Sequence, residues 1–551
     1  MSKRFAILMA VILTLTLVTP ASAQEPVTFL WGSYGNPVQL YAAVVTDGIS
    51  FNVLNQGCES LLAFDGSTTN VIPSLAESWE SNADATEWTF KLREGVTFQD
   101  GTPFNAEAVK FNFEAWRFTD NPLHFASQVY EYYGYMFSGF DGDSLITSVE
   151  AVDEYTVKFT LAAPYSPMPN TLAMPMFQIN SPAALQEYGE NYGTPDVGYV
   201  CTGPYKFVEW VTDDHVTMDL WDGYWGQIEG NVQRIIYRVI PDNAARFAAI
   251  QAGEIHYKEN ATPEELALIE GSEDLYVIYR PALNVMYLAF NYRIKEFQDL
   301  RVRQAISMAL NRQAYVDAFY APGAAEVANT FLPPMMWGYN PDVPMPEYNP
   351  DAAKQLLADA GFPDGLSEVS VLALNADGTC CADEVEETIP LTLFWQPAMR
   401  PYNPDPEGLG QAMAADLAQI DVNVQLDNAG DWATYLDRRR NGDLIGLYQL
   451  GWTGDNGDPD NFSGYFFAEC NAPREGYFNF TEICDTLTQA KNLIAQEDRE
   501  PLYMQADAML AEQVGRLTIA HAGVPLVFRN NVKGWVPNPV GTELVRFVTI
   551  E

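Results

Sequence analysis

Hydrophobic residues recur along this chain with two periods, one typical of strands and one typical of helices. The pattern therefore predicts strands and helices in succession. Residues 27–31 form an apolar run typical of a strand, whereas 87–93 and 155–161 alternate polar and apolar side chains as half-buried strands do. Between these two segments, Asn105 is a candidate N-cap for a helix. The pattern therefore predicts a mixed β-sheet domain within residues 58–204.

A second α/β segment begins after Thr202. Residues 235–240 are largely apolar, as expected of a buried strand, and Asn349 with the proline that follows it marks a helix start. One long helix is predicted after Asp299, because five apolar side chains recur at near-helical spacing, namely Val302, Ile306, Leu310, Val316 and Phe319. A chain of 551 residues with this pattern is expected to form more than one domain, each with a sizeable core.

Charged residues follow two of the predicted strands. Asp455 comes shortly after the strand predicted at 444–450, and Arg400 comes shortly after the one predicted at 391–395. Open α/β sheets usually bind their ligands at strand ends. A carboxylate and a guanidinium at neighbouring strand ends could hold a zwitterion such as a dipeptide, whose two ends lie about 7 Å apart.

Neighbours of these two charged residues are further candidates for a binding loop. Tyr402 and Trp452 could cover the apolar parts of a ligand or hydrogen-bond its ends, although an aromatic side chain is more often part of a core. Gly451 and Thr453 would present polar groups to a peptide backbone if this loop lines a cleft.

Two weaker candidates for a binding site lie elsewhere in the sequence. Gly32 and Ser33 follow the first predicted strand, where glycine would allow the backbone to approach a ligand closely. Asp458 and Asp460 have a spacing that suggests calcium, but the loop lacks the glycine and the terminal glutamate of an EF-hand. We therefore expect these two acids to cap turns, and we expect no metal site.

The charge balance is strongly acidic. There are 73 Asp and Glu residues against 30 Lys and Arg, a formal net charge of −43. Phosphate binding depends on basic clusters, so nucleic acid is excluded as an expected partner. A solvated acidic surface is the simplest interpretation, because net charge determines solubility rather than fold.

The N-terminal segment has the layout of a cleavable secretory signal. Residues 1–23 begin with two basic side chains, continue with an apolar run at 5–18 and finish with small residues up to Ala23. The exported chain is expected to start at Gln24, and no cysteine follows to carry a lipid anchor. A periplasmic location fits best, with secretion from a single-membrane cell as the alternative.

Motifs of enzymes are missing from the sequence. It contains no Gly-x-Ser-x-Gly elbow, no His-Glu-x-x-His helix and no Walker phosphate loop. The four histidines have no nucleophile motif beside them, and we expect His521 to be structural. We therefore expect a binding protein without a cofactor. A secreted hydrolase that uses paired carboxylates is the alternative from a different class.

Several short motifs carry a family resemblance. Residues 450–462 and 400–404 resemble the segments that bind the amine and the carboxylate of the ligand in dipeptide-binding proteins of bacterial ABC transporters, within the peptide-binding family of extracellular solute-binding proteins. Further matches occur in the expected order at 75–79, 92–104, 202–205, 302–305 and 337–340. The resemblance covers nearly all of the exported chain.

The resemblance implies an α/β fold of the two-lobed periplasmic binding protein type (type II), with an additional mixed β-sheet domain. The first lobe would be discontinuous and the second would carry both charged residues, as follows: first lobe 24–57, 205–282 and 525–551, additional domain 58–204, second lobe 283–524. It also implies that Asp455 binds the peptide amine and Arg400 the peptide carboxylate.

The same resemblance implies the biological role. The chain would be a monomeric receptor that captures a dipeptide or short peptide between two closing lobes. It would deliver this ligand to membrane permease subunits that are powered by separate ATPase subunits. Relatives of this fold also bind oligosaccharides, metal chelates and other small molecules, so a different solute is the alternative within the class.

Six cysteines in an exported chain favour disulfides. The resemblance implies a local disulfide between Cys470 and Cys484. Cys58 and Cys201 would then be partners by elimination, if the chain brings their segments together. The adjacent residues Cys380 and Cys381 could form a vicinal disulfide or stay reduced, and both possibilities remain open.

Overall fold

The computed structural model describes residues 25–551. The signal sequence predicted at 1–23 lies outside the described residues. Between residues 25 and 551, no helix is both long enough and apolar enough to cross a membrane.

Strands and helices alternate along most of the chain. The strands are β1 (Thr28–Ser33), β2 (Leu62–Phe64), β3 (Val71–Pro73), β4 (Ala76–Ser81), β5 (Glu87–Leu92), β6 (Ile146–Asp153), β7 (Thr156–Leu161), β8 (Tyr205–Val211), β9 (His215–Leu220), β10 (Arg234–Val239), β11 (Tyr257–Glu259), β12 (Leu275–Arg280), β13 (Asn284–Phe290), β14 (Ala325–Val327), β15 (Glu368–Leu372), β16 (Val385–Pro390), β17 (Thr392–Phe394), β18 (Gln425–Asp427), β19 (Leu447–Thr453), β20 (Leu517–Ala522), β21 (Val524–Arg529), β22 (Val532–Lys533) and β23 (Thr549–Ile550). The α-helices are α1 (Gly48–Gly57), α2 (Ala106–Arg117), α3 (Glu131–Met136), α4 (Met168–Ala173), α5 (Pro182–Tyr188), α6 (Asn243–Ala252), α7 (Pro263–Ile269), α8 (Leu300–Ala309), α9 (Arg312–Phe319), α10 (Pro350–Asp359), α11 (Pro406–Ala418), α12 (Trp432–Arg440), α13 (Ser463–Phe467), α14 (Thr481–Asn492) and α15 (Gln496–Glu512).

Three sheets of four or more strands organise most of these elements, and the remaining strands form the two-stranded sheets β2-β3, β15-β16 and β22-β23. The first sheet has seven strands in the order β12-β21-β11-β1-β10-β9-β8, and the second has six in the order β14-β20-β13-β19-β17-β18. A four-stranded antiparallel sheet, β4-β5-β7-β6, is formed by the chain between β1 and β8. One large apolar core joins the first sheet to this four-stranded sheet, and a separate core surrounds the second sheet.

The chain passes between the first and second sheets twice, at adjacent places. Strand β12 ends at Arg280 and β13 of the other sheet begins at Asn284, while Gly523 alone separates β20 from β21. The two connections are neighbours, because Arg280 is paired with Val524. A Cβ atom on Gly523 would lie 2.7 Å from the backbone oxygen of Arg280, so the two connections pass each other too closely for a larger residue.

Several elements form where the hydrophobic pattern predicts them. In β5 the apolar residues Trp88, Phe90 and Leu92 are buried and the polar residues between them are not. The side chain of Asn105 caps α2 by accepting a hydrogen bond from the backbone N–H of Ala108, as expected of an N-cap.

The prediction of one long helix after Asp299 is wrong in one respect. The structure has two helices there, α8 and α9, because Leu310 is extended and the side chain of Asn311 caps a new helix by accepting from the N–H of Ala314. Val302, Ile306, Leu310 and Val316 are nevertheless buried, so the apolar stripe predicted the burial but not the break.

Three cysteine pairs are present in the structure. Cys58 is joined to Cys201 across 143 positions, and Cys470 is joined to Cys484 across 14. Cys380 and Cys381 are paired with each other in the hairpin between β15 and β16, the first of the two states that the sequence left open.

Candidate functional site

A cavity of about 270 Å³ lies between the first and second sheets, beside the two connections that join them. Strands β11, β12, β19 and β20 all end at this cavity, which is the place where α/β sheets usually bind ligands. On the side of the first sheet its wall includes Tyr34, Phe51, Asn52, Asn55, Glu259 and Arg280. On the side of the second sheet it includes Leu283, Asn284, Thr453, Gly454, Asp455 and Ala522.

Asp455 reaches the cavity because it follows the end of β19 by two residues. Asn461 fixes it from two directions: its Oδ1 accepts from the backbone N–H of Asp455 at 2.8 Å, and its Nδ2 donates to Oδ2 of Asp455 at 3.0 Å. The hydroxyl of Tyr132 in α3 donates to the other carboxylate oxygen, Oδ1, at 3.1 Å. The sequence pattern predicts Asp455 as a site residue but predicts neither of these two partners.

The environment of Asp455 changes its acidity. Burial raises the pKa of its carboxyl group from 3.8 to about 6, and the hydrogen bonds from Asn461 and Tyr132 limit that rise. Within residues 25–551, no Lys, Arg or His nitrogen lies within 4.0 Å of this carboxylate. The site therefore holds a partly desolvated acid whose charge is not neutralised by a neighbouring side chain.

The loop that carries Asp455 is held in place by contacts with α15 and α4. Asp458 accepts two hydrogen bonds from Arg499 of α15, at 2.7 and 2.8 Å, and both side chains are buried. Asn170, which lies in α4, donates to the backbone oxygen of Asn456 at 2.9 Å. Asp458 also accepts from the backbone N–H of Asp460, as expected of an acid that caps a turn.

Arg400 lies on the exposed surface next to the cavity rather than in its wall. Strands β17 and β19 are adjacent and parallel, so the segments after them do meet at one edge of the sheet. The backbone of Arg400 pairs with that of Asn403, and its guanidinium carbon lies 4.6 Å from the ring centroid of Trp432. Pro401 lines the cavity, but Arg400 forms no ion pair with Asp455.

Of the four neighbouring candidates, only Thr453 lines the cavity. Tyr402 is buried, and its ring occupies the space where a Cβ atom of Gly451 would lie, 2.3 Å from the Tyr402 Cδ2 atom. Trp452 stacks on Tyr465 with ring centroids 5.3 Å apart. In this conformation Tyr402, Gly451 and Trp452 support the loop by packing and do not line the cavity.

Gly32 and Ser33 also lie outside the cavity wall. A Cβ atom on Gly32 would lie 2.4 Å from Ile255 Cδ1 and 3.0 Å from the backbone oxygen of Tyr257, so strand packing explains the glycine. The hydroxyl of Ser33 donates to the backbone oxygen of Gly35 at 2.7 Å. The next residue, Tyr34, is the one that reaches the cavity.

The opposite wall carries a charged group that sequence reasoning missed. Arg280 donates to both carboxylate oxygens of Glu543, at 2.5 and 3.0 Å, and lies 3.6 Å from Glu259. Burial alone would lower the pKa of Arg280, but the charges of Glu543 and Glu259 raise it overall. Its position at a strand end is a feature that could have identified it, because Arg280 ends the strand Leu275–Arg280 just as Asp455 follows β19.

Both the sequences and the solved structures of known proteins match this chain. Residues 70–473 match the family described as bacterial extracellular solute-binding proteins, family 5 Middle. Over 558 aligned positions the chain is 32% identical to the dipeptide-binding protein of Escherichia coli (strain K12), covering 98% of this chain and 97% of that protein.

Two solved structures share the fold. HbpA2 from Haemophilus parasuis is 30% identical, with a TM-score of 0.83 over 95% of this chain and 100% of that one. A dipeptide-binding protein from Pseudoalteromonas sp. SM9913 in complex with Met-Leu is 26% identical, with a TM-score of 0.73 over 95% and 100%. The predicted fold class, a type II two-lobed α/β binding protein with an additional β-sheet domain, is confirmed. This chain belongs to family 5 of the bacterial extracellular solute-binding proteins.

Proposed function

We propose that this chain is the solute-binding receptor of an ABC importer and captures a dipeptide or short peptide in the cavity between the two large sheets. Asp455 carries this proposal, because its charge faces the cavity without a cationic partner within residues 25–551. The α-ammonium group of a peptide would supply that partner. Relatives named for dipeptide binding support the assignment.

Arg400 is proposed to bind the peptide carboxylate. Its guanidinium is exposed and free of ion pairs among the described residues, and the planar fork matches the two oxygens of a carboxylate. Closure of the lobes over the ligand would bring it into contact. Thr453 would hydrogen-bond the peptide backbone, while Tyr402, Trp452 and Gly451 would hold the loop in place.

The lobes are proposed to be 24–57 with 205–282 and 525–551, and 283–524, with 58–204 as the additional domain. In this arrangement the hinge consists of the two connections, residues 281–283 and Gly523. The first lines the cavity through Pro281 and Leu283, and the two neighbours of Gly523 line it beside the second. Gly32 and Ser33 belong to the first lobe and would approach the ligand only when the lobes close.

The cavity volume favours a small ligand. At about 270 Å³ it is slightly smaller than the roughly 300–1,000 Å³ typical of small-molecule pockets. A dipeptide suits this space better than a large chelate or an oligosaccharide. We further propose that the exported protein is a periplasmic monomer that docks on membrane permease subunits served by separate ATPases, and that it does not hydrolyse its ligand.

Calorimetric titration of the ligand-free protein with Ala-Phe tests the proposal. We expect one saturable site, with affinity lost for N-acetyl-Ala-Phe and for Ala-Phe amide. Asp455→Asn and Arg400→Ala should each weaken binding by about 2–5 kcal/mol, the typical effect of removing one partner of a buried charge pair. Asp437→Asn and Arg440→Ala, which change the same charges on exposed side chains of α12, should bind as the parent does.

Two outcomes would contradict the proposal. If folded, ligand-free protein gives no heat and no thermal shift with any dipeptide or tripeptide, the ligand is not a short peptide, and sugars and metal chelates become the next candidates. If Ala-Phe is cleaved during the titration, the protein is a hydrolase. Recovery of intact ligand by mass spectrometry distinguishes binding from turnover.

A further inference from the structure

Glu259 is a second acid in the cavity wall, on the face opposite Asp455. It ends β11 in the first sheet, and its residue is only 9% exposed, yet its side chain borders the cavity. Among the described residues no side chain or backbone group donates a hydrogen bond to its carboxylate, and its one ion pair, with Nη2 of Arg280 at 3.6 Å, is longer than a hydrogen bond. A carboxylate buried to this extent normally accepts hydrogen bonds.

The arginines near Glu259 are bound elsewhere. Arg280 uses Nε and Nη2 on Glu543, at 2.5 and 3.0 Å, so its charge is already matched by a closer carboxylate. Arg246 donates to the backbone oxygens of Ile240 and Pro241 at 2.7 and 2.8 Å and does not bond Glu259. Both carboxylate oxygens of Glu259 can therefore still accept a hydrogen bond from a group that enters the cavity, and its ion pair with Arg280 is shared with the closer Glu543.

We propose that Glu259 recognises a cationic side chain of the ligand, so that this receptor favours peptides that contain lysine or arginine. The inference rests on the proposed function, in which Asp455 and Arg400 hold the peptide termini. With the termini held, a neutral peptide would leave Glu259 without a hydrogen-bond donor in a closed, water-poor site, and this is unfavourable for a buried acid. An ammonium or guanidinium group supplies both the donor and the opposite charge.

The test compares dipeptides with and without a cationic side chain. The protein is titrated with Ala-Lys, Lys-Ala and Ala-Gln, and with Ala-norleucine, which has a side chain of similar length but no charge. We expect one of the two lysine peptides to bind at least tenfold more tightly than Ala-norleucine, and Ala-Gln to fall between them. In Glu259→Gln the ratio between lysine and norleucine peptides should approach one, while Ala-norleucine still binds.

Glu273→Gln is the matched control, because this acid is exposed and does not line the cavity, and it should keep the parent ratio. Thermal unfolding verifies that each variant is folded, and the ratio within the parent protein tests the inference without any variant. If lysine and norleucine peptides bind equally to the parent, or if Glu259→Gln keeps the lysine preference, the inference is overturned and the proposed function stands. If no dipeptide binds at all, the proposed function fails first and this inference fails with it.

Discussion

The hydroxyl of Tyr132 donates a hydrogen bond of 3.1 Å to Oδ1 of Asp455, and so joins two residues that are 323 positions apart. Tyr132 belongs to α3, in the chain segment between β5 and β6, whereas Asp455 follows β19 of the second sheet. The acid at the cavity is therefore oriented by a part of the chain that has no strand in either large sheet.

Tyr132→Phe should raise the pKa of Asp455 above its value of about 6, because the hydroxyl stabilises the ionised carboxylate. A hydrogen bond to a charged group typically contributes about 1.5–3 kcal/mol. We expect weaker Ala-Phe binding near neutral pH and a binding midpoint at higher pH, measured by calorimetry between pH 5 and 7.5. Tyr135→Phe, on the same helix, removes a hydroxyl that does not bond Asp455 and should leave both quantities unchanged. An unshifted midpoint in Tyr132→Phe would mean that its hydroxyl does not control this acid.

Ligand binding should depend on pH near 6 rather than near 4. The pKa of Asp455 is raised from 3.8 to about 6, so the carboxyl group gains a proton as the pH falls through 6 and can no longer pair with an ammonium group. For Ala-Phe, which has no ionisable side chain, we expect the tightest Kd between about pH 6.5 and 7.5 and a tenfold weaker Kd for each unit well below 6; binding should weaken again above about pH 8, where the α-ammonium group of the peptide loses its proton. Asp455→Asn should bind weakly at every pH from 5 to 7.5. A parent affinity that stays constant down to pH 4.5 would contradict the raised pKa.

The acid of this site can be predicted from the sequence but its surroundings cannot, for physical reasons. Asp455 could be recognised because it follows a long apolar strand within a turn-forming segment. Tyr132 carries no such signal, because its role arises only when a distant segment folds against the loop. Strand β11 has three residues, too few for a period to be recognised, so Glu259 was not placed at a strand end.

In the fold, too, features that depend on neighbouring residues can be predicted, whereas features that depend on distant residues cannot. The cap of α2 is local, since Asn105 acts on a backbone group three positions away, and it was predicted. The break between α8 and α9 was missed, because the apolar spacing continues through Leu310 while Asn311 starts a new helix. Arg280 ends a strand for which no prediction was made, and its partner Glu543 lies 263 positions further along the chain.

Asp458→Asn should destabilise the protein strongly. Asp458 and Arg499 form a buried pair joined by two hydrogen bonds, and removal of one charge leaves the other buried without a partner. Breaking such a pair typically costs about 3–5 kcal/mol. Glu77→Gln provides the control, because the Glu77–Arg93 pair is exposed, and it should change the free energy of unfolding by less than about 1 kcal/mol. The two values come from urea unfolding followed by circular dichroism, and equal losses would show that the buried pair is not a special support of the loop.

Gly457→Ala should damage both stability and ligand binding. Gly457 has a φ of +68°, which disfavours any residue with a side chain, and a Cβ atom there would lie 2.1 Å from Cβ of Thr69. Gly95→Ala separates the two effects, because Gly95 has a φ of +74° but open space around the added atom. The left-handed conformation alone costs an alanine roughly 1–2 kcal/mol, so Gly95→Ala should lose about that amount and keep its affinity for Ala-Phe.

Gly457→Ala should lose more stability than Gly95→Ala and should also bind Ala-Phe more weakly, because the displaced loop carries Asp455. Adding Thr69→Gly removes the colliding atom and should recover the affinity but not the part of the stability that the backbone conformation costs. Urea unfolding and calorimetry on the three variants measure both quantities. If Thr69→Gly fails to restore binding, the contact between Thr69 and the loop does not position Asp455, and the affinity loss must come from the backbone of the loop itself.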